Sequence, residues 1–180
     1  ARPEHVDALL LIDAAGMPLR GGEKRPASNI GFRLLEYPLG RWLAMRITPR
    51  ALVETSLRES VAKQDVVDPA MIDRYWELLR FPGNRQATAL RATIDREPDM
   101  AVRVGEIAVP TLILFGKLDR LINPSAAQTF HERIAGSEVV LFDGVGHLPM
   151  EEEPDATAAS IADFLKRRLA ASPPARPETR

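Results

Sequence analysis

The chain has 180 residues, enough for one domain with its own core, and its 45% hydrophobic and 27% charged residues are ordinary for a globular protein. With 24 basic against 25 acidic side chains the formal net charge is −1, which gives no electrostatic case for binding nucleic acid or an anionic membrane. There is no cysteine, so disulfides, thiolate zinc sites and a cysteine nucleophile are excluded; the same absence fits a reducing compartment, and a cytoplasmic location is expected.

The chain opens on Ala1-Arg2-Pro3-Glu4, and nothing marks Ala1 as a natural start or a signal peptide. Val6 to Ile12 is a near-continuous apolar run ending in Asp13-Ala14-Ala15-Gly16, the pattern of a strand buried on both faces in a parallel sheet. Its tightly apolar part, Ala8 to Ile12, is far shorter than the roughly 20 residues of a membrane helix, so no membrane segment is expected. Residues 17 to 29 read as a loop.

From about Ile30 to Glu106 the pattern is helical. Leu35, Leu39, Trp42, Leu43 and Ile47 recur at helical spacing, with Pro38 as a break or kink. Thr48-Pro49 and Asp68-Pro69 each read as an N-cap followed by proline at the first helical position. Met71, Ile72, Tyr75, Trp76 and Leu79 form one apolar stripe, and Asn84 is placed to cap a helix running to about Glu97. Then comes a regular alternation. Thr111 to Phe115 is a strand, and Asn123-Pro124 opens a helix whose Ala127, Phe130 and Ile134 share a face. Glu138 to Phe142 is a strand, and a last helix from near Pro154 carries Ile161, Phe164, Leu165 and Leu169 on one side. The tail Ser172 to Arg180 is rich in proline and charge and is expected to be disordered.

Two loops that follow strands carry the candidate chemistry, because ligands of an open parallel sheet bind beyond the C-terminal ends of its strands. The first, Gly116-Lys117-Leu118-Asp119-Arg120, offers Asp119; its structural alternative is a turn or capping residue. The second, Asp143-Gly144-Val145-Gly146-His147-Leu148-Pro149, offers His147, and its two glycines allow a sharp turn. Each residue is weak evidence alone. Together on one sheet edge, a carboxylate that holds an imidazole and an imidazole that takes a proton are two thirds of a nucleophilic triad. His147 with Glu151 or Glu152 suggests a metal only weakly, since a hydrolytic zinc site needs three protein ligands; no metal and no cofactor are expected. Glu151-Glu152-Glu153 reads as negative charge at a helix N-terminus. Trp42, Tyr75 and Trp76 read first as packing residues and second as a pocket lining.

Val109-Pro110-Thr111-Leu112-Ile113-Leu114-Phe115-Gly116 followed by Asp119 resembles the late strand and acid loop of the α/β-hydrolases. Gly144-Val145-Gly146-His147-Leu148-Pro149, then Glu152 and Pro154, resembles their histidine loop and last helix. The order, acid then histidine 28 residues later, is also the family's. The likeness runs from Ala1 to about Leu169 and points to the cap-containing serine esterase and C–C bond hydrolase type. It implies an α/β fold: the C-terminal portion of a parallel sheet with a helical cap insertion. Residues 1–29 would be the core strand and loop after the nucleophile helix, 30–106 the cap, 107–171 the C-terminal core with both loops, and 172–180 the tail. Asp119 and His147 would be the catalytic acid and base, acting on a small ester-like substrate.

One element of the pattern is missing. The family's nucleophile sits on a Gly-x-Ser-x-Gly elbow upstream of the acid. Ser28, Ser56, Ser60, Ser125, Ser137, Ser160 and Ser172 are the chain's serines, and none has glycines two before and two after. The chain therefore reads as a fragment whose nucleophile, early strands and main oxyanion-hole loop would precede Ala1. Two alternatives stay open: an aspartate nucleophile, as in epoxide hydrolases and haloalkane dehalogenases, and a non-catalytic binding protein on the same fold, against which the presence of both Asp119 and His147 argues.

Overall fold

The computed structural model describes residues 5–24, 30–91 and 98–170. Three strands, β1 (Leu9–Ile12), β2 (Thr111–Gly116) and β3 (Glu138–Phe142), form one parallel sheet in that order. Leu9 stands opposite Thr111, and Leu112 opposite Glu138. The three expected strands are present and parallel. The first begins at Leu9 rather than Val6, which is 39% exposed and lies before the first residue that β2 pairs.

Six helices lie between β1 and β2: α1 (Ile30–Leu35), α2 (Pro38–Ala44), α3 (Arg50–Ser60), α4 (Pro69–Arg80), α5 (Asn84–Arg91) and α6 (Pro98–Arg103). α7 (Ser125–Arg133) connects β2 to β3, and α8 (Pro149–Glu152) and α9 (Pro154–Ala170) follow. The expected continuation toward Glu97 and the tail 172–180 lie outside the described residues, as does the side chain of Leu169.

Side chains alternate across a strand, so a strand covered on both faces must be apolar throughout. β2 is that strand. Its Ile113 and Phe115 pack with Ala127, Phe130 and Ile134 of the α7 side, while Leu112 and Leu114 pack with Phe164 of α9. Each large side chain buried in this way contributes about 1.5–3 kcal/mol. On β3, Glu138 is gripped by two arginines of α9: Arg167 makes a two-pronged contact at 3.0 and 2.8 Å, and Arg168 approaches to 2.6 Å. These charges hold Glu138 below the usual carboxylate range.

The helical segment has its own core of Val53, Leu57, Val61, Val67, Met71 and Ile72, with Tyr75, Trp76 and Leu79 against it. The stripe expected on α4 is therefore real. Asp68 caps α4 as its sequence predicts, accepting from the Met71 N–H at 2.7 Å with Pro69 in the first turn. Pro38 breaks the helix as its sequence predicts, starting a new one after an extended Tyr37. Elsewhere the local reading needs correction. Leu35 is buried, whereas Leu39, Trp42, Leu43 and Ile47 are exposed. Thr48 makes no side-chain cap for α3; its carbonyl accepts from Trp76 Nε1 at 2.7 Å. Asn84 closes the preceding helix rather than capping its own, donating to Leu78 O at 2.6 Å. Among the described residues, no helix is long and apolar enough to cross a membrane.

The layering makes a quantitative prediction. Phe164→Ala, at a fully buried site of α9 packed against the central strand, is expected to lower stability by about 3–5 kcal/mol in urea denaturation. Leu141→Ala, on a residue 44% exposed, is expected to cost far less.

Candidate active site

The acid loop leaves the sheet at the C-terminal end of β2. Lys117 N donates to Phe142 O at 3.0 Å, carrying the strand pairing one residue further, and Leu118 N donates to Val145 O at 2.8 Å, tying the loop to its neighbour. The Asp119 carboxylate is wholly buried, and its two oxygens divide the two roles the sequence allows. Oδ1 accepts from Leu121 N at 2.7 Å and Ile122 N at 3.0 Å, which is the turn-forming role. Oδ2 lies 2.8 Å from Nδ1 of His147. The structure thus brings together the two residues that the sequence singles out.

A carboxylate can only accept, so Nδ1 carries the shared hydrogen and the lone pair of the neutral imidazole falls on Nε2. The His147 side chain is 25% exposed and the acid beneath it is not exposed at all. A partly exposed imidazole on a buried carboxylate is an arrangement that can serve a general base, because the anion can stabilise an imidazolium.

The two glycines before His147 do different work. Gly144 has φ +68° and makes the turn. Gly146 is needed for close approach: a Cβ there would lie 2.7 Å from Ala62 N and from Ser60 O. Gly116 faces it from β2, where a Cβ would fall 2.0 Å from Gly146 O. The histidine loop is wedged between the end of β2 and the end of α3. There His147 N donates to Ser60 O at 2.9 Å, while the Ser60 hydroxyl donates to Ser56 O at 2.7 Å.

Glu151, Glu152 and Glu153 are more than charge at a helix start. Each reaches the helical segment. Glu151 accepts from Arg74 at 2.7 Å and from the Tyr75 hydroxyl at 3.2 Å, and Glu153 pairs with Lys63. Burial, with the Glu151 charge, pushes the Tyr75 phenol up to about 12, so it remains a donor. Glu152 is buried, 4% exposed, and takes four main-chain hydrogens: Gly146 N at 2.9 Å and Leu148 N at 3.4 Å on Oε1, Ala62 N at 2.8 Å and Lys63 N at 2.9 Å on Oε2. The pairing of His147 with Glu151 or Glu152 at a metal does not form, because both carboxylates are committed to these donors.

Asp13 went unnoticed in the sequence. It follows β1 as Asp119 follows β2, so the same strand-end rule would have found it. It is 4% exposed, has φ +41°, and its Oδ1 accepts from Gly116 N at 3.0 Å. One ligand-type atom from each of Asp13, Asp119 and His147 lies within 4.8 Å of the others. The 2.8 Å between Asp119 and His147 is a hydrogen-bond distance, shorter than two ligands spread around an ion would keep. His131 contacts the Ser137 hydroxyl at 3.0 Å.

A mostly apolar cavity of about 490 Å³ lies within the helical segment, bordered by Leu35, Val53, Leu57, Tyr75, Leu79 and Arg85 among others. Asp119 and His147 do not line it. α3 links the two places: Ser56 and Leu57 border the cavity, and Ser60, one turn on, holds the His147 amide. Of the aromatics weighed as pocket residues, Tyr75 lines this cavity, Trp42 borders a shallower groove, and Trp76 packs in the helical core.

A parallel sheet sandwiched by helices, with an acid and a histidine on adjacent strand-end loops, defines the α/β-hydrolase class. The chain belongs to the alpha/beta hydrolase family, whose model matches residues 2–160. It is 35% identical over 79 residues, 44% of its length and 27% of the other's, to a 2-hydroxy-6-oxononadienedioate/2-hydroxy-6-oxononatrienedioate hydrolase of Klebsiella pneumoniae. Its fold is similar to that of a meta-cleavage product hydrolase from Pseudomonas fluorescens, with a TM-score of 0.67 at 17% identity over 92% of this chain and 58% of that one. An esterase from Exiguobacterium antarcticum is similar at 0.66 and 21%, over 89% and 57%. The chain spans less than two thirds of the length of each of these relatives.

Removing the Glu152 carboxylate should loosen the histidine loop from α3. Glu152→Ala strands buried donors and is expected to destabilise the chain by about 3 kcal/mol or more. The check is urea denaturation with amide hydrogen exchange, in which Ala62, Lys63 and Gly146 should lose protection together.

Proposed function

We propose that the chain supplies the acid and the base of a hydrolase acting on carboxylic esters or related acyl bonds. Its observational support is the 2.8 Å contact between the buried Asp119 carboxylate and Nδ1 of His147 at the C-terminal edge of the sheet. In this reading the nucleophile is a serine on a segment that precedes Ala1, in the family's order of nucleophile, acid and histidine. His147 Nε2 takes the hydroxyl proton as the serine attacks the acyl carbon, then returns it to the leaving group; Asp119 orients the ring and stabilises the imidazolium. Residues 30–106 form the cap and 107–171 the C-terminal core. The stretch shared with the dienedioate hydrolase supports keeping acyl bonds other than esters within the substrate class.

The test is turnover of an activated ester by the full-length protein. His147→Ala is expected to lower kcat by about 10⁴-fold or more, by analogy with other triads. Asp119→Asn is expected to be severe as well, because an amide cannot stabilise the imidazolium. The 180-residue chain alone is expected to be inert. Near-wild-type turnover by His147→Ala would overturn the assignment, and burst kinetics from the 180-residue chain would place the nucleophile within it instead.

A further inference from the structure

Asp13 has no place in the mechanism above, yet it is built into the site. It is the one described non-glycine residue with positive φ, a conformation costly for residues other than glycine, asparagine and aspartate. Its Oδ1 is held by Gly116 N, and its Oδ2 is buried with no hydrogen-bond partner. The charges that face it are acidic: Asp119 from the loop after β2 and Glu152 from α8, with the imidazole of His147 as the third group.

Two ionised carboxylates side by side in a dry site repel, and the pair relaxes by keeping one proton between them. The donors decide where that proton resides. Asp119 receives three, from Leu121 N, Ile122 N and His147 Nδ1, so its oxygens are already engaged as acceptors. Asp13 receives one.

We propose that Asp13 is protonated at neutral pH and donates its O–H to the carboxylate of Asp119, as a positioning residue that keeps Asp119 turned toward His147. A hydroxyl on Oδ2 turns an unpaired buried oxygen into a donor beside a waiting acceptor. Burial foremost, then the Asp119 charge and the weaker Glu152 charge, push Asp13 up to about 8, against the single lowering contact from Gly116 N. The role in orienting Asp119 for catalysis rests on the proposed hydrolase reading; the shared proton does not.

The linkage has a definite sign. The folded chain keeps the Asp13 proton up to about pH 8, while the unfolded chain releases it at the ordinary value of 3.8. Between those values the unfolded state binds fewer protons, so stability falls as pH rises, by up to about tenfold in the folding equilibrium per pH unit. Below 3.8 both states are protonated and Asp13 contributes no slope. Above about pH 8 it ionises, and a donor to Asp119 becomes a second negative charge beside it.

Two substitutions separate this from a backbone role. Asp13→Asn keeps the acceptor for Gly116, offers an N–H to Asp119 and tolerates φ +41°. Asp13→Gly keeps the backbone and removes both bonds. In the 180-residue chain, the ¹³Cγ resonance of Asp13 is expected to titrate near pH 8, and Asp13→Asn is expected to remove its share of the stability loss between about pH 4 and 8. In the full-length enzyme, Asp13→Asn should match wild type at neutral pH and stay active above pH 8, where wild type declines, and Asp13→Gly should lose tenfold or more in kcat. Titration of Asp13 in the ordinary carboxylate range would overturn the proposal, as would an Asp13→Asn enzyme as impaired as Asp13→Gly. A titration near 8 in a protein that hydrolyses nothing would leave the proton standing and remove the hydrolase reading.

Discussion

A carboxylate taken out of water must be met by donors, and Glu152 is met by main-chain hydrogens from two separate segments. One oxygen holds the turn before His147 and the other the turn after α3. This joins the histidine loop to the helical segment at a single buried group. The other contacts nearby presuppose it: the His147 amide reaching Ser60 O, the close seating of Gly146, and the packing of Leu148 against the helical core. The flanking pairs, Arg74 with Glu151 and Lys63 with Glu153, are partly exposed and add little by comparison.

The environment of the imidazole is acidic by construction. Asp119 lies beneath it, with Asp13 close by and Glu152 completing the surroundings of Asp13. Main-chain N–H groups do the neutralising that lysine or arginine would do elsewhere. They are fixed in place by the fold and already point at the carboxylates they meet. Arginines appear instead at the margins, as on Glu138, where two of them fasten α9 to the first residue of β3.

The sheet was legible because the physics of β2 is local. A strand covered on both faces has to be apolar at nearly every position, and Leu112 to Phe115 shows that without help from the rest of the chain. Asp119 and His147 were legible by position, as polar residues just past buried strands. Asp13 obeys the same rule and escaped because it has no sequence neighbour to pair with; its partners arrive from about 100 residues away. Glu152 could not have been separated from Glu151 and Glu153, since three identical residues in a row take their roles from what the chain packs against them. The stripe divides at the extended Tyr37: Leu35 is buried on the helix before it, whereas Leu39, Trp42 and Ile47, all beyond it, are exposed.

The contact between Gly116 and Gly146 carries a further consequence. Main chain rests on main chain there: a methyl group on Gly116 would meet Gly146 O and Val145 O, while one on Gly146 would meet Ala62 N and Ser60 O at the end of α3. The spacing between Asp119 and His147 is therefore set by two backbones pressed together and owes little to side-chain choice. Anyone transplanting this carboxylate and imidazole to another sheet would have to move both loops as one interlocked piece, since a side chain added at Gly116 would push the histidine loop away before either residue of the pair had been touched.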